Sequence, residues 1–379
     1  MPHTMDRPTE YRVEPAEPMR PARTLSFRKV ILNLHLWTGL AAAVFLLLLG
    51  GSGALLVFEG PIDQALNPKL TKVQPGHAVL SLDQLKSAIE SQYSGHRVLG
   101  FDISATDDVA YSAFIEPASG NGFDVAVDQH SGQVLGVWDD NRFTRKLHGF
   151  HTHLLAGDAG SAIVGWGAVF LLALSISGLI LWWRAKVICV NFRTSGPKFQ
   201  YDLHSAVGIF SSLCLLAFAL TGIVLHWEDA AQSWANRVSH VAAPARPRLE
   251  TPAPGAEPLG PEQLVSIARA TVTGARPTMI DLADSATSPA LVILKFPEDH
   301  TPAGRTRVFL DPYSGKVLSL TSSRAAPAAV AFVTRWNREM HTGDIGGWPT
   351  RIVAMLFSLS LPLLAITGPL LWWQRRQRG

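Results

Sequence analysis

Charge is scarce in this chain. Asp, Glu, Lys and Arg make up 17% of its 379 residues, where about 25% is usual for a soluble protein. The charges present avoid four stretches altogether: Val30–Phe58, Ala159–Trp183, Leu203–Trp227 and Ile352–Trp373 contain no Asp, Glu, Lys or Arg. Each exceeds the roughly 20 helical residues that cross a hydrocarbon core, which predicts four membrane-spanning helices. The first is longer than the apolar region of a cleaved signal peptide and lacks a small-residue cleavage site before "LLVFEGPID". It is therefore expected to be retained.

Cysteine is almost missing. Cys189 and Cys214 are the only two, one in a loop and one inside a span, so neither a structural disulfide nor a thiolate metal site is expected. No C-x-x-C-H haem-attachment motif occurs. There is no G-x-G-x-x-G fingerprint after a strand and no Walker A motif, and no cytoplasmic segment is long enough for a flavin or nicotinamide domain. The formal net charge of +3 sits at the ends of the spans and forms no patch for nucleic acid.

Basic residues near the spans set the expected orientation. Arg20, Arg23, Arg28 and Lys29 precede the first span; Arg184, Lys186, Arg193 and Lys198 link the second to the third; Arg375, Arg376 and Arg378 follow the fourth. These segments are expected in the cytoplasm, and the long segments at about 59–150 and 228–345 outside it. The predicted order is a cytoplasmic tail (1–29), a first span (30–58), an outer domain (59–145) and a histidine-bearing edge with the second span (146–184). A cytoplasmic loop (185–201), the third span (202–227), a second outer domain (228–334), a second histidine edge with the fourth span (335–374) and a tail (375–379) complete it.

What the chain does have is a copy of itself. "NLHLWTGLAAAVFLLLLGGSGALLVFE" aligns without a gap on "DLHSAVGIFSSLCLLAFALTGIVLHWE" at an offset of 169, so His35 matches His204, Gly53 matches Gly222 and Glu59 matches Glu228. "SGLILWWR" matches "TGPLLWWQ" at an offset of 190, which also superposes His151 on His341. In the outer segments "LDQLKSAI" resembles "PEQLVSIA", and "VDQHSGQVL" resembles "LDPYSGKVL". Both halves start on the same side, so the repeat is parallel. The predicted fold class is an α-helical membrane protein with four spans in parallel tandem repeat and two small α+β outer domains. Each outer unit has a helix and a hairpin around a Ser-Gly turn. Each is too short for an independent core, so the two are expected to pack on each other or on the membrane face. The Pro-rich stretch 244–263 reads as an extended linker.

The chain has 13 histidines, and an ionisable group at a membrane is a functional-site hypothesis by default. His35 and His204 occupy equivalent cytoplasmic-side positions; His151 and His341 occupy equivalent outer-edge positions. A two-fold axis would make each pair face itself across the bundle, the arrangement that bis-histidine b-type haems require. This predicts two b-type haems with iron held by His35, His204, His151 and His341. His226, His148 and His153 lack histidine counterparts and are reserve ligands for the outer site. Gly39, Gly208, Gly53 and Gly222 would leave room for a flat ring, and close helix packing explains them equally. Arg28, Lys29, Arg145, Lys146, Arg335 and Arg338 could pair with propionates or anchor at the interface. Zinc is the competing metal, but it wants three or four converging ligands. His77, His96, His130 and His300 read as ordinary surface residues, and Glu59, Glu228 and Asp229 as a solvated edge near the outer mouth.

"HTHLLAGDAG", "MHTGDIGGWPTR", the "[ST]-G-x-x-LWW" span ends and the "[VL]-D-x-x-S-G-x-V-L" repeats resemble the PepSY-associated transmembrane helix family over residues 25–377 or so. The resemblance implies PepSY-like outer domains, placed in the periplasm of a bacterial inner membrane with both termini cytoplasmic. Members that look like this chain include ferric-siderophore reductases of the ferrioxamine type. The implied activity is an oxidoreductase that passes electrons across the bilayer to a hydroxamate-type ferric siderophore and releases ferrous iron. The donor would be a quinol or a separate cytoplasmic reductant. Two other classes are open: a siderophore or iron permease, and a non-catalytic PepSY regulator of an envelope peptidase.

Overall fold

A computed structural model describes residues 26–76, 78–242 and 247–377. Arg20, Arg23, His77, Arg378 and the start of the Pro-rich linker lie outside the described residues. Four helices are long and apolar enough to span a membrane: α1 (Phe27–Leu56), α6 (Gly157–Ala185), α7 (Gly196–His226) and α12 (Trp348–Arg376). They overrun the uncharged stretches because Lys198, Arg375 and Arg376 extend the helices where side-chain heads can reach water. Their outer surfaces are apolar and bare, with Val44, Phe210 and Leu213 more than 70% or about 70% exposed, a surface that fits lipid.

Between α1 and α6 lie α2 (Glu59–Leu66), α3 (Pro68–Thr71), α4 (Leu82–Gln92), β1 (His96–Asp102), β2 (Tyr111–Pro117), β3 (Phe123–Val127), β4 (Val134–Val137) and α5 (Phe143–His153). Between α7 and α12 lie α8 (Glu228–Val238), α9 (Pro261–Thr271), β5 (Arg276–Asp281), β6 (Ala290–Lys295), β7 (Thr306–Leu310) and β8 (Val317–Thr321). A bent helix follows, formed by α10 (Ala328–Ala331), a π-turn at Phe332–Trp336 and α11 (Asn337–Thr342). Both insertions join the same end of the bundle, called here the sheet end; the α6–α7 link lies at the far end.

The two inserted units are not separate bodies. Their strands form one antiparallel sheet in the order β4-β3-β2-β1-β5-β6-β7-β8, joined where Gly100, Phe101 and Asp102 pair with Asp281, Ile280 and Met279. The physical reason is core size. Leu85 and Ile89 of α4 and Leu264, Val265 and Ala268 of α9 belong to one buried cluster with Phe101, Ile115, Ile280 and Val292. Burying each side chain of this kind contributes about 1.5–3 kcal/mol, and the sharing gives two short units one adequate core. Glu262 of α9 also accepts the Leu82 N–H at the start of α4, at 3.0 Å, so the second half helps cap a helix of the first.

Both Ser-Gly turns close hairpins, β3–β4 and β7–β8. Gly132 and Gly315 sit at φ of +75° and +71°, backbone that glycine adopts without a Cβ clash. His130, in the first turn, is more than a surface residue. Its Nδ1 and Nε2 lie 2.9 and 3.0 Å from the carbonyls of Ala78 and Asp107. Those two carbonyls raise the pKa of the ring above its ordinary value.

Candidate functional site: two histidine pairs

The bundle sets α1 and α7 on a diagonal, each packed against both α6 and α12. Near the far end, His35 of α1 and His204 of α7 meet across that diagonal with ring centres 6.4 Å apart and planes at 86°. At the sheet end, α5 and α11 drop His151 and His341 into the mouth of the bundle. Their ring centres are 6.5 Å apart with planes at 59°. The structure thus brings together the residues the repeat had matched.

Each of the four rings rests on the same kind of support. His35 Nδ1 lies 2.8 Å from Ser177 Oγ, and His204 Nδ1 lies 2.8 Å from Thr367 Oγ1. His151 Nδ1 lies 2.9 Å from Ser52 Oγ, and His341 Nδ1 lies 2.9 Å from Thr221 Oγ1. Every one of these hydroxyls donates its proton to a carbonyl of its own helix: Ala173 at 2.7 Å, Leu363 at 2.8 Å, Leu49 at 3.1 Å and Ala217 at 2.6 Å. A hydroxyl has a single proton to give. With that proton kept on the carbonyl, the hydroxyl would accept from Nδ1–H and leave Nε2 without a proton, the ligating form of histidine.

The spacing suits an ion between the rings. A metal–imidazole bond of about 2 Å on each side, plus about 1.1 Å from each nitrogen to its ring centre, would put the ring centres of two imidazoles sharing one ion about 6 Å apart. Both pairs stand within half an ångström of that. Among the described residues, no group of three or more His, Cys, Asp or Glu converges as a zinc site would need. The residues present fit a b-type haem better than a bare cation.

The reserve histidines stand apart from both pairs. His226 ends α7 with its ring edge-on to Trp227 at 4.5 Å, in a space that a side chain at Gly165 would fill. His148 is half exposed, 3.3 Å from Glu59. His153 turns toward Gly149 with its buried Nδ1 unbonded. His148, His153, Glu59, Arg142 and Arg145 line a 330 Å³ cavity at the sheet end. Glu228 and Asp229 are exposed. Among the cations, Arg335 is engaged by Asp299 at 3.3 Å and Arg145 by Asp140 at 3.4 Å, while Arg28, Lys29 and Lys146 are exposed.

Of the four glycines read as room for a flat ring or as close helix packing, Gly39 and Gly208 face Leu174 and Leu364, which is packing, and Gly53 and Gly222 lie beside the His151 and His341 imidazoles. The glycines under His35 and His204 are Gly178 and Gly368. The four hydroxyls were not singled out from the sequence, although a signal existed. Ser52-Gly53, Ser177-Gly178, Thr221-Gly222 and Thr367-Gly368 put a hydroxyl–glycine step in every span, with Thr38-Gly39 a second one in the first.

The fold and these histidines define a membrane protein of four spanning helices that carries one sheet at one end and facing imidazoles near both. A family model described as the PepSY-associated TM region matches residues 32–375, and the chain belongs to that family. The match bears out the resemblance read from its motifs. The chain matches no curated protein.

Proposed function

We propose that the protein is a transmembrane electron carrier of the bacterial inner membrane, holding two b-type haems and reducing a ferric siderophore on its sheet, or periplasmic, side. The observation that carries this reading is the pair of facing imidazoles near each end of one bundle, each with its Nδ1 on a serine or threonine hydroxyl. His35 and His204 would hold one haem, His151 and His341 the other. Bound there, such a group supplies reversible one-electron transfer. The chain's own residues orient the four imidazoles and keep water out of the layer between the pairs. That layer is apolar: Ala42, Leu46, Leu171, Leu215, Ala219 and Leu361 form its buried core, with Phe45 and Phe218 packed on it.

An apolar middle suits electrons and opposes ions, since a charge at mid-membrane is costly. It therefore supports a carrier of electrons over a permease, which would want a polar midplane site. The siderophore's ferric ion takes up one electron and becomes ferrous, a lower-charged ion that hydroxamate oxygens hold less tightly. The siderophore substrate is supported by the resemblance to ferrioxamine-type reductases. The donor on the far side is a quinol or a separate reductant.

The test is a reduced-minus-oxidised spectrum of the purified protein with haem quantified per chain. Two b-type haems are expected, with His35→Ala and His341→Ala each removing one. A preparation without the b-type band, or a band untouched by both substitutions, would sink the reading. Bleaching of the reduced band by added ferric hydroxamate chelate tests the substrate separately.

A further inference from the structure

We propose that Ser52, Ser177, Thr221 and Thr367 are positioning residues, hydroxyl anchors that hold the four paired imidazoles in one tautomer with Nε2 turned toward the partner ring. Three observations converge on this. Each hydroxyl lies 2.8–2.9 Å from an Nδ1. Each also lies 2.6–3.1 Å from a carbonyl of its own helix, a partner for its single proton that leaves it a lone pair to receive an N–H. Each comes from a span other than the helix carrying its histidine: α6 supports His35 of α1, α12 supports His204 of α7, α1 supports His151 of α5, and α7 supports His341 of α11.

The choice of hydroxyl has a physical reason. Metal-bound histidines commonly give their second N–H to a carboxylate or a carbonyl. A carboxylate inside a span would bring the cost of a membrane charge. A serine or threonine bonded back to its own turn is neutral and already satisfied, yet keeps a lone pair for the ring. The following glycine leaves the ring edge unobstructed; a methyl at Gly53 would come within 3.0 Å of His151 Cε1, and the other three would stand at ordinary contact of 3.4–3.5 Å.

The anchoring claim concerns the tautomer and does not require haem; its consequence for redox potential rests on the function proposed above. The experiment therefore has two arms on the full-length protein. In the first, ¹⁵N-histidine NMR of protein made in haem-deficient cells reads the ring protonation directly. Four resonance pairs of the Nδ1–H form are expected. Ser177→Ala should release one of them into the averaged form, and Ser177→Thr should restore it. Nε2–H rings in the unsubstituted protein, or four unchanged pairs in all four alanine variants, would overturn the proposal.

In the second arm, haem-loaded protein is titrated electrochemically. An acceptor on Nδ1–H makes the ligand more electron-rich and favours ferric iron. Ser177→Ala should then raise one midpoint potential and leave the other in place, with Ser177→Thr close to the original. Ser52→Ala should raise the other. Unmoved potentials with haem retained overturn the proposal. Should the unsubstituted protein carry no haem, the haem reading fails and the NMR arm alone decides the anchors.

Discussion

The two halves of the chain deliver equivalent histidines to the sheet end by different clamps. In the first half, Asp63 of α2 accepts Thr144 Oγ1 and pairs with Arg142 at 3.4 Å, fixing the start of α5. That clamp is local to the bundle, since α2 follows α1 after two residues. In the second half the clamp comes from the sheet. Glu339, 2% exposed, accepts the N–H of His300, the N–H of Thr301 and the Thr301 hydroxyl, each at 3.1 Å. Asp299 in the same loop holds Arg335. A π-turn interrupts this second helix, a feature common at functional sites. The difference teaches that His341 is mechanically tied to the sheet, whereas His151 is tied to the bundle.

Breaking the sheet clamp should have the largest effect. Glu339→Ala strands two backbone N–H groups and should cost about 3 kcal/mol, read as lower thermal stability of the purified protein. Hydrogen exchange should rise over 299–304 and 337–342 and stay unchanged over 143–153. Equal rises in both places would break the comparison.

Next is the closest helix crossing. A Cβ on Gly50 would come within 2.6 Å of Leu361 Cβ and 2.9 Å of the Ser358 carbonyl, while the matching position on α7 is already Ala219. Gly50→Ala should therefore cost about 1–3 kcal/mol through overpacking. Ala219→Gly should cost about 1 kcal/mol through helix propensity. A thermal-unfolding series ranks the two, and the reverse ranking would refute the crossing.

Asp63→Asn should cost about 1 kcal/mol, because an amide oxygen still accepts from Thr144 while the ion pair is lost. Its exchange signature should be the mirror image of Glu339→Ala, confined to 143–153.

The smallest effect is one of pH. His130 has a raised folded pKa, so its contribution is fully present below the unfolded value of about 6.5 and fades as pH rises through the folded pKa. Exchange around Ala78 should quicken as pH climbs through that window, beyond the intrinsic rate increase. His130→Asn should flatten the trend, and the second half, with Tyr313 in the matching turn, should lack it.

Much of this was legible in the residues. Spans, hairpins and the matched histidines follow from hydropathy, period-two alternation and self-alignment, all local or one-dimensional signals. The clamps were not legible, because at the offset that matches His151 to His341, Glu339 falls on Gly149 and Arg142 on Phe332. Alignment detects what two halves share and is blind to what each half adds alone. The hydroxyl anchors lay in between: the repeated Ser/Thr-Gly step was visible, but serine and threonine are frequent in spans for packing reasons, and nothing in one dimension said which ring each would meet.

By itself, then, the sequence determined how many spanning helices the chain has, which histidines correspond and where the two Ser-Gly hairpins lie, since these depend on composition and spacing along the chain. Only the tertiary structure decided that two short sheets become one, that α1 and α7 face each other diagonally, and that each Nδ1 is already engaged. Those outcomes depend on which surfaces exclude water together and on contacts between residues far apart in the chain, where small differences in fit select one partner among many.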